Sequence, residues 1–172
     1  MAKDGTKIKM RACDVTFNAV DLGHTQGGVE IEYKPKYKEI TADKFGETPI
    51  DKVLVGEALT VKCKLAETSF EVLKAAIAAG TLETDSTDNM LKIGKGAGFR
   101  ASSVAYALLL HPTDMAAETD NDFTVYKAVC VEGVKIAHEV DKEAVYEVTF
   151  EALVDESKED GNVLAHYGNT IV

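Results

Sequence analysis

Two stretches of alternating residues separated by a polar loop constrain this chain more than anything else in it. In the first, Val29, Ile31, Tyr33 and Tyr37 fall on one face, with Glu30, Glu32, Lys34, Lys36 and Lys38 on the other. That is the period-two pattern of a half-buried strand. In the second, Leu59, Val61, Cys63 and Leu65 share a face opposite Thr60, Lys62 and Lys64. Ala42 to Pro49 lies between them, with Gly46 and Pro49 as breakers, so a long projecting hairpin is expected. A helix is expected next, over about 68–79. Thr68 and Glu71 have capping-box spacing, and Phe70, Leu73 and Ile77, with Val72 and Ala76, make an apolar stripe. Gly80 stands where a C-terminal cap belongs.

Further strands are expected on both sides. Cys13 to Phe17 reads as a short one, followed by a turn-rich connection over Asn18 to Gly28. Thr81 to Asn89 reads as a polar, acidic loop, and Leu91 to Ile93 as a short strand ended by Gly94, Gly96 and Gly98. Val104 to Leu110 is apolar on both faces, as a central strand should be. Pro112 to Asp122 is an acidic loop. Phe123 to Val131, Val134 to Val140 and Tyr146 to Val154 then alternate, and Val163 to Tyr167 is placed to close an edge. Many short strands, turns about every ten residues and one helix predict a mainly β, two-sheet sandwich or barrel-like domain. No linker or repeat divides it, so residues 1–172 form one domain, long enough to bury about 70% of the surface of the unfolded chain.

The wording of the first half resembles the tail tube proteins of tailed bacteriophages. The resemblance lies in Asp14-Val-Thr-Phe-Asn-Ala-Val-Asp-Leu-Gly23, Gly27-Gly-Val-Glu-Ile-Glu-Tyr33, Tyr37-Lys-Glu-Ile-Thr41, Gly46-Glu-Thr-Pro-Ile-Asp51 and Val55-Gly-Glu-Ala-Leu-Thr-Val-Lys62. It implies a two-sheet fold with a flanking helix, six copies closing into a ring, and rings stacked into the conduit for DNA. It also implies partners: a tape measure protein, a tail terminator, baseplate or tip proteins, and a sheath where the tail contracts. The expected location is the virion, after synthesis and assembly in the host bacterial cytoplasm.

The resemblance also gives the polar faces a role. Lys34, Lys36, Tyr37, Lys38, Phe45, Thr48 and Ile50 are the expected contacts between rings. Glu30, Glu32, Glu147, Thr149 and Glu151 are expected to line the lumen, where carboxylates repel DNA phosphates. Without the resemblance, Tyr33 to Lys38 reads as an edge strand blunted by lysine and proline, or as a stacking surface for single strands. The formal net charge of −10 opposes general nucleic-acid binding.

No enzymatic constellation is found, and no cofactor or metal is expected. Gly94-Lys-Gly-Ala-Gly98 lacks the residues of a phosphate loop. Asp155 to Gly161 has Lys158 where a calcium ligand belongs, and Asp114 to Asp122 reads as a solvated acidic loop. His24, His111, His138 and His166 lack metalloprotease spacing, and no serine sits in a nucleophile elbow. Cys13, Cys63 and Cys130 are isolated and expected to be reduced. Met1 to Met10 lack the apolar core of a secretion signal, and the Val104 to Leu110 run is far short of a bilayer span, so a soluble product is expected. The alternatives are a tube component of a bacterial contractile injection or secretion system, a small-ligand or carbohydrate-binding β domain, and, third, an enzyme.

Overall fold

The computed structural model describes residues 12–67, 69–113, 119–134 and 145–169. Its strands are β1 (Cys13–Phe17), β2 (Val20–Asp21), β3 (Thr25–Thr41), β4 (Pro49–Leu65), β5 (Gly80–Thr84), β6 (Asn89–Ile93), β7 (Tyr106–Pro112), β8 (Phe123–Cys130), β9 (Tyr146–Ala152) and β10 (Ala165–Tyr167). One helix, α1 (Phe70–Ala76), lies between β4 and β5. The main sheet runs β2-β1-β7-β8-β9-β4-β3, with β10 also on β8, and β5 and β6 form a second, two-stranded sheet. The fold among the described residues is thus mainly β, sandwich-like, with two sheets and one helix. Among the described residues the main sheet is not closed into a barrel.

The core follows from the alternation. Leu59, Val61, Cys63 and Leu65 on β4 join Val148 and Phe150 on the neighbouring β9 and Leu108 and Leu110 on β7 in one buried cluster. Phe150 is at the centre, its ring 5.0 Å from that of Phe17. As expected, β7 is an interior strand, between β1 and β8. Val104 falls outside it, in a 3-10 turn at Ala101–Val104.

The helix is shorter than 68–79 and differs at both ends. Its N-cap is Ser69, whose Oγ accepts the Val72 N–H at 3.2 Å, a contact worth on the order of 1 kcal/mol. The expected cap, Thr68, lies outside the described residues. At the other end the chain turns extended at Ile77, and Gly80 opens β5 instead of capping. Its lack of a side chain serves another purpose. A Cβ there would come within 2.9 Å of the Ile77 carbonyl oxygen, whose bond from the Gly80 N–H is 2.8 Å. The buried side of α1 is Val72 and Ala76, with Leu73 beside them, whereas Phe70 is exposed.

The expected loop from Thr81 to Asn89 begins as a strand. Glu83↔Met90 and Leu82↔Leu91 pair β5 with β6, so tertiary pairing overrides the weak local signal. The strand read over Val134 to Val140 falls almost entirely on residues 135–144, outside the described residues.

The loop after β9 is tied down by Asp155. Its carboxylate accepts from Lys127 Nζ and Ser157 Oγ, each at 2.9 Å. Lys127 first, then Ser157, holds it below the ordinary aspartate value of 3.8. A depressed folded pKa stabilises the fold above the unfolded value, and this contribution is lost as pH falls through the folded one. Lys127→Met should therefore lower stability at neutral pH and flatten the loss of stability below about pH 4, measured by denaturant titration at a series of pH values.

Candidate functional site: the projecting arm and its charged root

β4 pairs with β9 only from Thr60↔Glu151 to Leu65↔Tyr146. Beyond that, among the described residues, β3 and β4 pair with each other alone, from Tyr33↔Leu59 out to Thr41↔Pro49. At about 3.3 Å per residue this two-stranded arm extends roughly 25–30 Å from the body. β3 is also the outermost strand of the sheet. An isolated two-stranded ribbon is at best marginally stable in water, so the arm is an element built to be covered.

Its side chains say the same. Of the sixteen large apolar residues that are exposed among the described ones, nine are on β3, β4 and their loop: Ile31, Tyr33, Tyr37, Ile40, Phe45, Ile50, Val53, Leu54 and Val55. Exposed apolar surface concentrated in this way marks an interaction surface. It occupies both faces. Tyr37 stands opposite Leu54 on one, while Ile40 shares the other with Val53, the partner of Lys38. Between Lys36↔Gly56 and Tyr37↔Leu54, Val55 is left as a bulge, and Ile50 is another between Ile40↔Asp51 and Thr41↔Pro49. Such bulges twist a ribbon and shift its side-chain register.

The polar contacts within the arm are solvent-facing. Tyr33 Oη donates to Glu57 Oε1, and Lys52 Nζ is 2.8 Å from Glu39 Oε1. Exposed pairs like the second add at most about 1 kcal/mol.

All seven residues read as contacts between rings lie on this arm. Tyr37, Phe45 and Ile50 are exposed by 54%, 55% and 54%, and the Thr48 N–H donates to the Phe45 carbonyl at 3.3 Å in the tip. Sequence reasoning missed Ile40, Val53, Leu54 and Val55 as members of the same surface. The signal was the run Val53-Leu54-Val55, which puts apolar residues on both faces.

The five residues expected to line a lumen also come together. The rows Glu32–Thr60–Glu151, Glu30–Lys62–Thr149 and Lys64–Glu147 cross β3, β4 and β9 on one face at the root of the arm. That face is a lattice of both signs. Lys64 Nζ is 3.0 Å from Glu147. Glu32 lies 2.8 Å from Lys34 and 3.9 Å from Lys62, and the Lys34 bond holds its carboxyl below the usual range. Beside it, Gly27 and Gly28 adopt φ of 84° and 88°, where the ladder jumps from Thr25↔Leu65 to Val29↔Cys63. Left-handed backbone of this kind favours glycine.

A second feature lies on the body. A cleft of about 170 Å³ opens between α1 and the sheet, walled by Phe17, Leu82, Tyr106 and Val129, with Glu71 and Lys74 also lining it. Among the described residues no group of three or more His, Cys, Asp or Glu is placed to hold a metal. Burial pushes the Cys63 thiol up to about 12 and that of Cys13 up to about 11, which disfavours the reactive thiolate. No helix among the described residues is long and apolar enough to cross a membrane.

No protein-family model matches the chain, and no curated protein matches it. Among the solved structures similar to it is a chain of the virion of a native gene transfer agent particle. The identity is 9% and the TM-score 0.46, over 87% of this chain and 93% of that one. At this level the likeness carries neither family nor function across.

Proposed function

We propose that this chain is a virion structural protein of the tail tube kind, self-assembling into hexameric rings that stack into a conduit for DNA. The observation that carries the reading is the arm: a two-stranded ribbon, apolar on both faces, that no other strand of the described molecule pairs with. The phrases in the first half of the sequence that resemble tail tube proteins run through this arm and its root.

Covering the arm removes its apolar area and the free backbone groups of β3 from water at once. A contact between two different patches, arm on body, does not close on itself and so propagates a filament. In this reading the root face lines the lumen. Glu30, Glu32, Glu147 and Glu151 outnumber Lys34, Lys62 and Lys64 there by one, leaving a weakly negative wall along which DNA slides without binding. The tape measure, terminator and baseplate or tip proteins would meet the tube within and at its ends, and a sheath would surround a contractile one.

Negative-stain electron microscopy of the purified protein over a concentration series tests the reading. Rings or tubes with a central channel are expected. A protein that stays monomeric throughout, and binds glycans in an array, would instead be a carbohydrate-binding domain.

A further inference from the structure

The geometry points to the cleft beside α1 as the seat of Phe45 from a second copy of this chain. The inference rests on the tube reading and names the surface that receives the arm. Phe45 is at the tip, 55% exposed and outside the hydrophobic core cluster; its neighbour Lys44 reaches over the ring at 5.7 Å. The cleft has apolar walls and a volume of about 170 Å³. An apolar cavity of about 150 Å³ accepts benzene, so the space suits one phenyl ring.

Charge matches as well as size. Asp43 and Lys44 precede Phe45 at the tip, and Glu71 and Lys74, one helical turn apart and both exposed, stand at the cleft. None of these four has an ion-pair partner among the described residues. A ring seated in the cleft would bring Lys44 to Glu71 and Asp43 to Lys74. Both surfaces belong to every copy, so the contact is head-to-tail and repeats along a stack.

The chain has no tryptophan, so Phe45→Trp places a single fluorescent reporter at the tip. As protein concentration rises through assembly, its emission should move to the blue as the ring leaves water. Filling the cleft with Ala78→Phe in the same chain should abolish that shift while circular dichroism stays unchanged.

Lys44→Glu and Glu71→Lys, both on exposed side chains, keep the test open if the filled variant fails to fold. Each alone should raise the concentration at half-shift about 3- to 5-fold, the upper range for a surface pair. The two together should return it to within about 2-fold of the starting value. Tubes seen by microscopy while the reporter stays at its solvent wavelength would overturn the cleft assignment and leave the tube reading standing. A blue shift indifferent to the charge reversals would overturn it too. Failure of the unmodified chain to assemble at any concentration would overturn both.

Discussion

Replacing Tyr37 and Leu54 together by serine is expected to leave the domain folded and to abolish its assembly. The two side chains face each other across the arm and are 54% and 44% exposed, so neither supports the core. Surface changes of this kind usually alter folding stability by no more than about 0.5 kcal/mol. In an assembled particle the same side chains would be covered. With half of each already shielded, their loss removes roughly 1.5–3 kcal/mol per contact, or about 10- to 140-fold in association constant. Repeated around a ring and along a stack, that is enough to prevent polymerisation. Sedimentation velocity should show a monomer at concentrations where the parent chain assembles, with an unchanged thermal unfolding curve. Deleting Phe45 to Thr48 from the tip should act in the same direction.

Phe150→Ala should do the reverse and strike the fold itself. Phe150 is 1% exposed, and its ring meets that of Phe17 at 5.0 Å with the planes tilted by 36°. Truncating a buried phenylalanine removes its transfer energy and leaves a cavity, about 3–5 kcal/mol together. Domains of this size are stable by only about 5–15 kcal/mol. Urea titration should therefore show a midpoint lowered by about a fifth or more, or no folded baseline at all. Loss of assembly by this variant follows from loss of the fold, whereas the Tyr37 and Leu54 pair separates the two.

The long hairpin was legible because its burial pattern is written residue by residue. Leu59, Val61, Cys63 and Leu65 are buried, in the alternation that the sequence shows. The same alternation hid the arm's distinctive property. Tyr33 and Tyr37 carry the pattern of a buried face onto a segment that no sheet covers, and alternation alone does not say where cover ends. At the helix, Phe70 had the right spacing for a buried stripe, yet Val72 and Ala76 are the residues turned inward. Two stripes a hundred degrees apart are nearly equivalent in a helix of two turns.

Pairing partners distant in sequence were not legible at all. Glu147 and Glu151 read as an acidic wall until the β4–β9 register set Lys64 beside the one and Thr60 beside the other. Strand register between distant segments is fixed by tertiary packing, not by either strand's own pattern. β5 was hidden for a local reason: only Leu82 marks it as a strand, and the pairing comes from its neighbour β6 across a short turn.

Amide hydrogen exchange, read segment by segment in dilute and in assembled protein, tests the central claim most directly. In the dilute protein, amides of Tyr33 to Thr41 and Pro49 to Gly56 should exchange far faster than those of β7 and β9, because a lone ribbon opens readily. On assembly the arm should become protected while the core strands change little. An arm already protected as strongly as the core in dilute protein, or one still unprotected at concentrations far above those of a crowded virion, would contradict the account.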